Sequence, residues 1–179
     1  VVDGNNCKAS LEVTVPSIVL KQPELALVTV SEQTSKNLVV WLKENTDLID
    51  HYTVYRETDK AGIYESIAEV PYSELSVYED EIADPQVQAW RYRITATDVC
   101  NTETPMSTTH KSLHLQKNQG LGGMINLYWD PYEGVDFSTY VILRRSELRG
   151  VVTIDTIATL SSANQTYTDM VPVRGTTSY

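Results

Sequence analysis

Three histidines, two cysteines and one tight acidic cluster are the residues best suited to chemistry in this chain. His110 and His114 are four apart, the spacing that lets two imidazoles share a metal on a helix. On a strand, at about 3.3 Å per residue, the same spacing separates them by roughly 13 Å, too far for joint ligation. His51 stands alone. Cys7 and Cys100 show no CxxC spacing and no zinc-type Cys/His set. They fit either a disulfide or two unpaired thiols. Glu79-Asp80-Glu81 with Asp84 is the densest acidic cluster. Calcium takes six to eight oxygens, and this cluster lacks the interleaved Asp-x-Asp-x-Asp of a calcium loop. Solvated charge near a strand end is the expectation. Arg144 and Arg145 with Arg149 form a basic spot, expected to be a solvated strand face or turn. No Gly-x-Ser-x-Gly elbow, Gly-x-Gly-x-x-Gly, phosphate loop or Arg-Gly-Asp occurs. The expected inventory is therefore no catalytic residue, no metal ligand and no cofactor.

The elements that position these residues read as strands. Tyr (11) far outnumbers Phe (1), and Tyr, Val, Thr and Ile suit a pleated, half-buried surface. Asn37–Leu42 is a short apolar run ending near Trp41. In Trp90–Ala96, Trp90, Tyr92, Ile94 and Ala96 fall on one face and Arg91, Arg93 and Thr95 on the other. Glu44-Asn45-Thr46-Asp47, Asp59-Lys60-Ala61-Gly62, Asp84-Pro85 and Asn118-Gln119-Gly120 read as turns. No stretch keeps a helical period.

The chain also repeats. Tyr52-Thr53-Val54-Tyr55-Arg56 matches Tyr140-Val141-Ile142-Leu143-Arg144, and Ile67-Ala68-Glu69-Val70 matches Ile157-Ala158-Thr159-Leu160. Tyr78-Glu79-Asp80 matches Tyr167-Thr168-Asp169, and Trp41 matches Trp129. The four matches are collinear at nearly one offset, close to 90 residues. Short strands with such a repeat predict tandem antiparallel β-sandwiches, with Trp41 and Trp129 in the cores. The net charge of −10 repels phosphate backbones, which sets nucleic acid aside as a partner. No apolar run approaches the roughly 20 residues that cross a bilayer. Val1-Val2-Asp3-Gly4 lacks the pattern of a signal peptide and there is no initiator Met. An internal fragment of a longer protein is expected.

Trp41, Tyr52-x-Val54-x-Arg56, Ile82-x-x-Pro85, Trp90 and Tyr92-x-Ile94-x-Ala96 resemble the landmarks of fibronectin type III modules. Trp90 stands where the family places its corner tyrosine. Residues 27–30, 35–41, 70–78 and 110–115 with 118–121 are similar to tandem fibronectin-like repeats of large secreted Bacteroidetes proteins. Residues 1–15 resemble the closing hairpin of PKD-like or gliding-motility-type surface repeats. The resemblance implies three segments. Residues 1–22 end a preceding module, with Leu11, Val13 and Val15 on one strand face. Residues 23–117 form a first repeat. Residues 118–179 form a second that lacks its last two strands and ends with Tyr179 at the corner. It implies an extracellular or outer-membrane-associated, type IX-secreted, non-catalytic structural, spacer or adhesive module, linked to surface adhesion or gliding. An accessory segment of a secreted glycoside hydrolase or peptidase is the alternative. The implied partners are neighbouring domains, and another surface protein or a glycan. Asp155-Thr156-Ile157 resembles the Bacteroidetes O-glycosylation acceptor, which makes Thr156 a candidate.

Overall fold

The computed structural model describes residues 20–170 and 175–179. Cys7 and the expected strand at Leu11, Val13 and Val15 lie outside them. The first seven strands are β1 (Leu25–Val30), β2 (Asn37–Trp41), β3 (Ile49–Glu57), β4 (Tyr64–Pro71), β5 (Val77–Asp80), β6 (Arg91–Asp98) and β7 (His110–Lys111). They form two antiparallel sheets, β1-β2-β5 and β4-β3-β6-β7. Alternation decides what each strand buries. Val39 and Trp41 of β2 meet Tyr52 and Val54 of β3 and Tyr92, Ile94 and Ala96 of β6 in one core. Trp41 and Tyr52 pack tilted, with ring centroids 5.4 Å apart.

The second set is β8 (Leu115–Gln119), β9 (Ile125–Trp129), β10 (Thr139–Leu148), β11 (Val151–Ser161), β12 (Thr166–Asp169) and β13 (Thr176–Ser178). Its sheets are β12-β9-β8 and β11-β10-β13, again antiparallel. Leu127, Trp129 and Ile142 are the centre of its core. The chain is all-β, with two tandem sandwiches in fibronectin type III strand order; the first has seven strands and the second six among the described residues.

Three expectations are corrected. Asn118 and Gln119 belong to β8, paired with Asn126 and Ile125, so the turn begins only at Gly120. The expected boundary between 117 and 118 falls inside that strand. The second sandwich does form its sixth strand, because β13 pairs with β10 across Arg145–Glu147.

A polar group ties the two sheets together in each sandwich. Arg56 on β3 donates from Nη1 to both Asp80 carboxylate oxygens, at 3.1 and 2.9 Å, and Asp80 ends β5 in the opposite sheet. The Tyr92 hydroxyl donates to the same carboxylate at 3.0 Å and accepts from Asn37 Nδ2. The second sandwich repeats this arrangement. Arg144 Nη1 donates to Asp169 at 2.9 and 3.2 Å, and the Tyr179 hydroxyl donates at 3.0 Å. Asp80 and Arg144 were expected to be solvated, yet the Asp80 side chain is 1 % exposed and that of Arg144 12 %. Burial pushes the Asp80 carboxyl up. The Ala83 amide, Arg56, the Ile82 amide and Tyr92 outweigh that and hold it below the ordinary carboxylate range. Burial, then Asp169, lifts Tyr179 to about 12. Tyr92 and Tyr179 are thus counterparts. Trp90 has a separate role, its indole N–H donating to the Asp84 carbonyl at 3.0 Å.

Trp41→Ala in the full chain is expected to cost about 3–5 kcal/mol in the urea transition of the first sandwich, the usual loss for an emptied core aromatic site. Asp80→Ala strands Arg56 and is expected to cost a similar ~3–5 kcal/mol. A loss of less than about 1 kcal/mol in either variant contradicts the packing described, since that is the scale of an ordinary surface substitution.

Candidate functional site: the joint between the sandwiches

Only Ser112-Leu113-His114 separates β7 from β8, so the two sandwiches meet directly. The loop after β9 leans back onto the first sandwich and carries Tyr132, Glu133 and Gly134. The Tyr132 hydroxyl accepts the Val28 N–H of β1 at 2.9 Å and lies 3.0 Å from His110 Nδ1. Accepting from Val28 leaves the hydroxyl hydrogen free for Nδ1, which suits a neutral imidazole. Burial lowers the His110 pKa, with Glu24 opposing. The Tyr132 ring meets His110 edge-on at 6.0 Å. From there Phe137, Tyr140 and Trp129 continue edge-to-face, linking the joint to the second core.

Glu133 is the electrostatic half. Arg91 donates to it from Nε at 2.9 Å and Nη2 at 2.8 Å, a bidentate pair. Buried Lys111 reaches it at 2.8 Å, and the Lys111 backbone N–H donates to the Glu133 carbonyl at 2.9 Å. Arg91 also holds Glu57 at 3.1 Å. These cations, Arg91 first, overcome burial and hold Glu133 at about 2. Gly134 fixes the approach. Its φ is +126°, and a Cβ there would lie 2.3 Å from the His110 ring. His114 is buried beside the joint, with Nε2 3.0 Å from the Gln86 carbonyl and Nδ1 3.3 Å from Asp130.

The structure thus places His110 and His114 at the joint, each with its own partners. His51 pairs with Asp50 at 2.9 Å. Cys100 is exposed in the turn after β6 and bonded to no described cysteine. Thr156 is exposed on β11, and Glu81 and Asp84 are exposed while Glu79 is half-buried. Among the described residues no group of three or more His, Cys, Asp and Glu could hold a metal. An open apolar cleft of about 240 Å³ lies in the second sandwich between Leu115, Leu127, Trp129, Tyr140, Ile142 and Tyr179, and no carboxylate or histidine lines it. Tyr132, Glu133 and Gly134 carried no sequence signal of their own.

No family model matches the chain, and no curated protein does. Solved structures resemble it weakly. A Fn3-like protein from Clostridium thermocellum is 21 % identical with TM-score 0.40, over 50 % of this chain and 88 % of that one. The chicken interferon gamma receptor alpha chain is 12 % identical with TM-score 0.42, over 88 % and 86 %. Pectate lyase Pel3 from Pectobacterium carotovorum is 18 % identical with TM-score 0.38, and this chain spans only 26 % of its length. No helix among the described residues is long and apolar enough to cross a membrane.

Acid is expected to loosen the joint in two steps. His110 has a depressed pKa, so its contribution is complete above about 6.5 and fades as pH falls below that value. Glu133 contributes fully above 4.5, and that contribution is lost as pH falls towards about 2. NMR shifts of the Val28 and Lys111 amides against pH report both steps. Amides that stay unmoved as pH falls from 7 through about 2 contradict the assignment, because that range reaches the folded-state value of Glu133 and passes below the ordinary value of His110.

Proposed function

We propose that this chain is a non-catalytic spacer segment of a larger secreted or cell-surface protein, in which the joint holds successive sandwiches at a fixed angle. The observation that carries this reading is the seating of Tyr132 and Gly134 against His110 while Arg91 and Lys111 clamp Glu133. A flexible linker would let each sandwich turn independently. Here a three-residue connection, a backbone-to-hydroxyl bond and a charge cluster oppose that freedom. Neighbouring domains of the same protein are the first partners, and loops held at a set angle can present themselves to a surface protein or a glycan. The similarity of residues 70–78, 110–115 and 118–121 to secreted Bacteroidetes repeats supports a place outside the cell, in adhesion or gliding assemblies served by type IX secretion.

The test is ¹⁵N relaxation on the whole chain. Both sandwiches are expected to tumble with one rotational correlation time. In Gly134→Ala, where the added methyl collides with His110, they are expected to tumble separately while each keeps its amide dispersion. Independent tumbling in the unsubstituted chain overturns the proposal.

A further inference from the structure

The two sandwiches serve as controls for each other's surfaces. β4 and β11 occupy the same position, each next to the third strand of its sandwich and at the margin of its sheet. β4 carries Glu65, Glu69 and Pro71, charges and a proline of the kind that discourage pairing with another chain. β11 is eleven residues long, Val151–Ser161, and contains no Lys, Arg or Pro. Its one charge, Asp155, faces Arg144 of its own sandwich at 3.7 Å. Seven of its residues are Val, Ile or Thr, the types that favour an extended strand. Among the described residues β10 is its only strand neighbour, so one row of its backbone N–H and C=O groups faces outward.

The sheet faces next to these edges differ in the same way. Outward pairs on β3 and β6 are His51/Thr97, Thr53/Thr95 and Tyr55/Arg93. They are polar and cross-linked, with Tyr55 and Thr95 both donating to Glu103. Outward pairs on β10 and β11 are Val141/Thr159, Leu143/Thr156, Arg145/Ile154 and Glu147/Val152. Val141, Leu143, Val152 and Ile154 are 56, 49, 45 and 65 % exposed. Both edges carry one bulge, at Ile67 on β4 and Ile157 on β11. What sets β11 apart is its length, its lack of Pro and the aliphatic face beside it. Such an edge is an association surface, and its outward backbone groups select an extended strand as its occupant.

We propose that this occupant is β11 of a second copy of this chain, paired antiparallel about a two-fold axis. The axis makes every contact twice, and the strand is its own complement in β-branched content. An axis through Thr156 sets Asp155 opposite Ile157, so the two acids do not face one another. It also brings the hairpin tip with Arg149 near the end of the partner's strand, on the side where Asp136 precedes β10. Both residues are exposed, and neither forms an ion pair among the described residues. Opposite charges therefore meet at both ends, and in the middle each Asp155 keeps the Arg144 of its own sandwich. A sugar on Thr156 and this pairing would exclude one another.

Sedimentation of the whole chain, produced without glycosylation, tests this from micromolar to submillimolar concentration. The expected result is a reversible monomer–dimer equilibrium, with β11 amides gaining hydrogen-exchange protection as concentration rises and β4 amides gaining none. Ile154→Lys is expected to weaken the dimer by about tenfold or more while circular dichroism stays unchanged. Thr156→Lys, also at an exposed position, is expected to do the same and serves if Ile154→Lys misfolds. Ser178→Lys on β13 is expected to leave the dimer intact. The proposal is overturned by a monomer throughout, by open-ended aggregation, by a dimer that survives both β11 variants, or by one lost only with Ser178→Lys.

Discussion

One ionic contact, used twice, decides how each pair of sheets is held. Asp80 ends a strand of one sheet and Arg56 stands on the other, so the bond from Arg56 Nη1 to both carboxylate oxygens crosses the core. Asp169 and Arg144 do the same in the second sandwich. Apolar burial presses two sheets together but leaves them free to slide, because it has no direction. A charge pair in a dry interior has direction, and a break strands a buried ion. The tyrosine hydroxyl from the sixth-strand region completes each site. The backbone amides of Ile82 and Ala83 tie the following turn to the first. Packing thus supplies the attraction, and the ionic contact ties one fixed point of each sheet to the other.

Much of the fold could be read from the sequence because period and repeat are local signals. The alternation of Tyr92, Ile94 and Ala96 told which face turns inward, and all three are buried. The spacing of Trp41 and Trp129 located both cores. At Asp80 and Arg144 the local sequence misleads for a physical reason. A charged residue at a strand end is usually solvated, and nothing local reveals which acid turns between the sheets. A signal was nonetheless present, since Arg56 with Arg144 and Asp80 with Asp169 keep the offset of the repeat. Charges that recur in register with core residues are themselves core candidates.

The joint was illegible for a different reason. Glu133 meets Arg91 across 42 positions of sequence, and Tyr132 meets Val28 across 104. Tyr132, Glu133 and Gly134 have no period, and their partners lie in the other repeat. His110 and His114, too far apart on a strand to share a metal, are each satisfied separately, one by a tyrosine hydroxyl and one by a backbone carbonyl. The sequence does carry one sign of a tight connection, since nothing Gly/Ser-rich lies between Ser107 and Asn118.

The Gly134 contact carries a consequence for how such a protein changes shape over generations. Three consecutive loop residues set the contact between neighbouring units, and none of them belongs to either buried core cluster. Drift there can re-aim everything downstream without emptying a core. A rotation of a few degrees at one joint is amplified by distance, so the reach and curvature of a long array can be retuned at its elbows.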